Sequence, residues 1–272
     1  MTSSTSLPVG ARLSAKATLV TLNISAWRTS KANASETAAV NAKHGTRDAA
    51  KVSVAICDHP ALLAAYKLQA EARAEHYALT LPAADKGMRL LPVARQMQHA
   101  DMLRDYRARI DSLVAEFLRD YDSIRADAPA RLNGLYVESQ WPADRNEVAA
   151  KFAFVVRYLP VPDAGQWQEW MAEAAASAHE DLTERLRAAV VLVAQRLAEP
   201  KAKVFDSLTG NLAELLALVP DLNLTSDPRL AEIAEKAKGL LEHDTDTLRE
   251  DPIARADIAA RANEVAAMFT IN

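Results

Sequence analysis

Glycine is scarce in this chain: only 7 of its 272 residues. Loops that cradle phosphates with their backbone need several glycines at fixed spacing. No GxxxxGK[ST] run is present, nor a GxSxG or an HExxH. Cysteine is scarcer still. Cys57 stands alone, which excludes an internal disulfide and favours a reducing compartment. It reads as a small apolar filler. Aromatic residues make up 6% of the chain, and no apolar run is long enough to span a bilayer. The opening MTSSTSLPVGARL lacks the basic-then-apolar order of a secretory leader. These shortages predict a cytoplasmic protein with no membrane partner.

Catalytic and metal signatures are missing as well. The six histidines are His44, His59, His76, His99, His179 and His243, and none is paired with another His or Cys at metal-ligand spacing. HDTDT (243–247) lacks the glycine and closing glutamate of a calcium loop. Asp101, Asp105, Asp120 and Asp122 alternate with Arg104, Arg107, Arg109 and Arg119, a pattern of surface ion pairs rather than of acid–base pairs. The chain is therefore expected to be no enzyme and to carry no cofactor or metal.

What is abundant is Ala, Leu, Glu and Arg, within a composition that is 50% hydrophobic and 25% charged. That mixture favours helices and supplies a sizeable core. Pro60 opens an apolar stripe over 60–79. Leu103, Tyr106, Ile110, Leu113, Phe117, Tyr121 and Ile124 recur every three or four residues, predicting a long helix over 93–128 that Pro129 ends. A second long helix is predicted from Trp167 through Met171, Ala174, Ala178, Leu182, Leu186, Val190, Val193 and Leu197, stopped by Pro200. Each would reach about 50 Å. Two segments have the two-residue period of strands instead: ATLVTLNIS (17–25), and 152–159, where Phe152, Phe154, Val156 and Tyr158 alternate before Pro160 and Pro162. Three helices follow, over about 202–219, 228–243 and 252–269.

The expected fold class is mainly α: an elongated helical protein whose two long helices form an antiparallel hairpin, with a two-stranded β element from 17–25 and 152–159 and a helical C-terminal part. The expected organisation is a mobile tail over 1–12, a main domain over 13–200, and a C-terminal helical subdomain over 201–272 packed on it. Within the main domain, 28–51 reads as a flexible basic loop or as a stretch holding a short helix around Glu36–Lys43.

Charge is uneven. Residues 1–58 carry seven Lys/Arg against three acidic side chains, while 228–272 carry six against nine. The basic end would meet an anion, an acidic partner, or the acidic end of a second copy. Trp27, Arg28, Lys31, Lys43, Arg47 and Lys51 are the candidate partner or nucleic-acid contacts. Cations hold phosphates, and Trp27 would stack on a base. Trp141, Trp167 and Trp170 flank the prolines and are read as packing that junction.

Five phrases in order, LVTLNISAW (19–27), HYALTLPAADKGMRLLP (76–92), KFAFVVRYLPVPD (151–163), SLTGNLAELLALVPDLNLTSDPRL (207–230) and DTLREDPIARADIA (246–259), resemble an uncharacterised protein family of bacteriophages and prophages. The resemblance covers nearly the whole chain. It implies a phage or prophage origin in a bacterial host, and neighbouring genes for a MoxR-like AAA+ ATPase and a von Willebrand factor A domain protein. It supplies no catalytic residues. The leading expectation is a non-enzymatic assembly or adaptor protein that forms a homo-oligomer and serves the ATPase remodelling system. The alternatives are a protein that binds or anneals single-stranded DNA in phage DNA metabolism, and a virion or scaffold component.

Overall fold

A computed structural model describes residues 9–84, 87–162, 164–199 and 202–270. In chain order the elements are α1 (Val9–Lys16), β1 (Ala17–Ser25), β2 (Ser30–Ala32), α2 (Ala34–Lys43), β3 (Ser53–Ala55), α3 (Pro60–Leu79), β4 (Leu81–Pro82), β5 (Arg89–Pro92), α4 (Gln96–Leu132), α5 (Arg145–Ala149), β6 (Ala153–Pro160), α6 (Ala164–Ala198), α7 (Asp206–Leu222), α8 (Pro228–Lys238), α9 (Thr245–Glu250) and α10 (Pro252–Ala267). The protein is mainly α. The expected tail over 1–12 falls partly outside the described residues; from Val9 onward the backbone is helical. Pro200, expected to stop the second long helix, also lies outside them.

The chain forms two compact units. One comprises Met1–Thr21, Tyr77–His99 and Arg157–Asn272, the other Leu22–His76 and Ala100–Val156. Residues 202–270 thus share a unit with α6. In this first unit the α6 stripe from Met171 to Leu197 is buried throughout. Trp167, expected to begin it, is 45% exposed. The stripe is covered by α10, α7 and α1, helices of its own unit, where the sequence suggested the other long helix. Alanines at 174 and 178 of α6 and at 259 and 262 of α10 leave room for close helix approach. Asp227 and Asp251 cap α8 and α10 as their Asp-Pro pairs predict, accepting from the Arg229 N–H and from the Ile253 and Ala254 N–H groups.

β1 and β6 lie side by side as expected, in a larger sheet of order β4-β5-β1-β6. The Thr18 hydroxyl donates to the Leu159 carbonyl at 2.9 Å. The stretch 80–92, to which the sequence pattern assigns no element, contributes two strands. β5 pairs antiparallel with β1 from Ala17↔Pro92 to Val20↔Arg89, and β4 pairs with β5 through Leu81↔Leu90. Strands this short, flanked by prolines, leave no period for a sequence to show.

The second unit is built on α4. Leu103, Tyr106 and Ile110 join Ile24, Ala65, Ala72 and Phe154 in one cluster, and Phe117 and Tyr121 join Trp27, Ile56, Leu62, Trp141 and Val148 in another. Pro129 does not end α4, which runs to Leu132. Proline forfeits one intrahelical bond, and in the last turn little helix remains to be disrupted.

Candidate docking surface

Of the two readings of 28–51, the structure has the one with a short helix, α2 at Ala34–Lys43, set between two paired strands. β2 and β3 pair antiparallel, Ser30↔Ala55 to Ala32↔Ser53, and the Asn33 and Ile56 N–H groups extend the ladder to Val52 and Thr29. Asn33 caps α2 by accepting from the Glu36 N–H at 3.0 Å. The connection from α2 back to β3 has little apolar content to hold it, only Ala49, Ala50 and Val52, and Asn41 anchors it. This side chain is buried, donates to the Ala50 carbonyl at 3.1 Å, and accepts from the Ala50 N–H and the Thr46 hydroxyl, both at 2.9 Å. The Thr37 hydroxyl accepts from the Val52 N–H. Gly45 turns the chain at φ 66°, a left-handed conformation suited to glycine.

Arg28, Lys43, Arg47 and Lys51 are exposed on this platform and Lys31 is half-buried. Among the described residues none of the five has a carboxylate at ion-pair distance. Several cations elsewhere do, such as Arg95 with Asp221, Arg249 with Asp206 and Asp246, and Arg261 with Glu242 and Asp257, whereas Arg119, Arg157, Arg196 and Lys203 resemble the five in having none among the described residues. Most acidic groups of 228–272 have local partners too, although the segment keeps its net negative charge. Glu232, Glu235, Glu242, Asp246 and Asp257 are ion-paired within the segment, and Asp244 and Asp251 cap helices.

Trp27 departs from its expected role. It is 2% exposed, stacked on Phe117 at 6.0 Å and set edge-on to Tyr121 at 5.8 Å. The Trp141 ring lies 5.4 Å away, and the Tyr66 hydroxyl donates to the Trp27 carbonyl. Its apolar surface is spent in the core, so it offers no face to a base. Trp141 packs here as well, at 5% exposure.

Beside this aromatic cluster is a cleft of about 450 Å³ whose lining includes Trp27, Arg28, Lys31, Trp141, Glu147 and Lys151, together with Ser139 and Gln140. Glu147 accepts from the Ala143 N–H at 2.6 Å and lies 3.9 Å from Lys151. The cleft unites Arg28 and Lys31 with Lys151, which sequence reasoning did not single out. A lone lysine more than a hundred residues away, just before a strand, carries no sequence signal of that proximity. Lys43, Arg47 and Lys51 are not among the residues lining the cleft.

Cys57 is buried, and burial pushes its thiol up from its ordinary range. His59 Nε2 lies 3.2 Å from Asp120. Among the described residues no group of three or more His, Cys, Asp or Glu side chains is placed to hold a metal ion, and no helix is long and apolar enough to cross a membrane. No protein-family model, curated protein or solved structure matches this chain.

Proposed function

We propose that this chain is a non-enzymatic assembly or adaptor protein that docks an acidic surface of a partner protein on the platform formed by residues 28–51. One observation carries the reading: five cationic side chains on an ordered scaffold, none answered by a carboxylate of the chain itself. Unpaired surface charge of one sign speeds and orients association with a surface of the other sign. The phage-family resemblance supplies the partner class, the MoxR-like AAA+ ATPase or the von Willebrand factor A protein. A second copy is a weaker fit for the platform, because seven of the nine acidic groups of 228–272 are already engaged.

Single-stranded DNA binding draws on the same cations but loses Trp27 as a stacking platform. The test measures binding of the purified chain to the neighbouring ATPase and von Willebrand factor A protein, and to a labelled single-stranded oligonucleotide, at low and physiological salt. The docking reading expects protein binding that weakens about tenfold or more in a Lys43→Glu/Arg47→Glu/Lys51→Glu variant. Tight oligonucleotide binding with a steep salt slope, and no protein binding, would replace it with the DNA reading.

A further inference from the structure

We propose that the cleft beside Trp27 is a receptor site for a short acidic peptide segment, whose carboxylates are taken by Arg28, Lys31 and Lys151. The proposal rests on the docking reading above and gives it a specific site. Three features of the cleft point to this ligand.

The first is charge. Three cations from two distant parts of the chain line one volume whose lining holds a single carboxylate, Glu147. Glu147 is held by the Ala143 N–H and reaches Lys151 only at 3.9 Å, the outer edge of an ion pair. Arg28 and Lys31 have no carboxylate partner among the described residues. A guanidinium beside two ammonium groups suits carboxylates, which arginine binds in bidentate fashion.

The second is the polarity of the wall. The indole N–H groups of Trp27 and Trp141 are buried without an acceptor. That burial keeps both groups from an incoming ligand, so the polar groups of the wall are supplied by other side chains. Ser139 and Gln140 add groups able to bond a peptide backbone. The wall is thus rich in donors, matching a segment rich in acceptors.

The third is what the wall lacks. Both tryptophan rings are packed against Phe117, Tyr121 or each other, so neither presents a face for base stacking. Nucleic acids bound as single strands rely on such faces. The cleft's volume, about 450 Å³, falls in the range of ligand sites and accommodates a few residues of an extended segment.

The test titrates the full chain into a labelled Glu-rich peptide and its Gln-for-Glu counterpart, following anisotropy and intrinsic tryptophan fluorescence. The Glu-rich peptide should bind at least about tenfold tighter than the Gln version and shift the tryptophan emission. Arg28→Glu/Lys31→Glu and Lys151→Glu should each weaken binding about tenfold or more, while Lys67→Glu, an exposed cation outside both the cleft and the platform, changes it less than about threefold. Circular dichroism checks that the variants fold. Equal binding of both peptides overturns the proposal, as does insensitivity to Arg28→Glu/Lys31→Glu, or displacement of the peptide by an oligonucleotide that binds more tightly. If only Lys43→Glu/Arg47→Glu abolishes binding, the cleft falls and the docking platform stands. If neither the peptide nor any partner protein binds the intact chain, both fall.

Discussion

Replacing Trp27 with alanine separates a core tryptophan from a ligand-stacking one. A buried tryptophan removes about 150–250 Å² from water, worth about 4–6 kcal/mol at about 25 cal/mol per Å². That figure uses an extended unfolded chain and is an upper bound. Against it, the Trp27 indole N–H is buried without an acceptor, a cost of about 1–3 kcal/mol that alanine removes. The cavity left behind is bounded by Phe117, Tyr121 and Trp141, rings anchored on α4 and by the Tyr121 hydroxyl bond to the Pro142 carbonyl, so it collapses poorly. The expected net loss is about 3 kcal/mol. In urea, with a slope of about 2 kcal/mol per M, the midpoint of the transition that unfolds this unit should fall by about 1–2 M. Near-ultraviolet circular dichroism reads that transition through the aromatic cluster. A loss below about 0.5 kcal/mol, the value for an ordinary surface substitution, would refute the buried placement and return Trp27 to the candidate contacts.

Two further outcomes follow from particular groups. Asn41→Ala removes both the donor to Ala50 and the acceptor for Ala50 and Thr46, and should cost about 1–3 kcal/mol while speeding hydrogen exchange at Ala50. Partner binding through Lys43, Arg47 and Lys51 should weaken with it, because their loop loses its anchor. His99 is fully buried, its Nδ1 is 2.9 Å from the Tyr158 hydroxyl, and burial lowers its pKa to about 4. It stays neutral when folded, whereas the unfolded chain takes up that proton near pH 6.5. Its contribution is complete above about pH 6.5 and is lost as pH falls toward 4, about 3 kcal/mol in all. Chemical denaturation across that window should show the loss, and His99→Gln should flatten it.

Much of the fold is legible in the sequence because helices are local. The α6 stripe, the Pro60 start of α3 and the Asp-Pro caps of α8 and α10 each depend on residues within a few turns of one another. β1 and β6 were legible for a similar reason: a two-residue period of bulky apolar side chains marks each. β4 and β5 were not, since their prolines and brevity erase the period, and only pairing with β1 makes them strands. The helix partners were also hidden. A stripe states that a face is buried but not which other stripe covers it, and α6 is covered by α10, α7 and α1.

The candidate site divides along the same line. The excess of lysine and arginine over 28–51 is a property of composition, and the sequence alone determined it. It could not determine that Trp27 turns inward, because an indole is at home both in a core and on a ligand. Nor could it determine that Asn41 orders the loop, that Trp141 and Lys151 close the cleft beside Arg28 and Lys31, or that the acidic C-terminal residues are matched internally. Those facts depend on which distant side chains meet. Long-range packing and pairwise electrostatics fix those meetings, and local pattern carries no record of them.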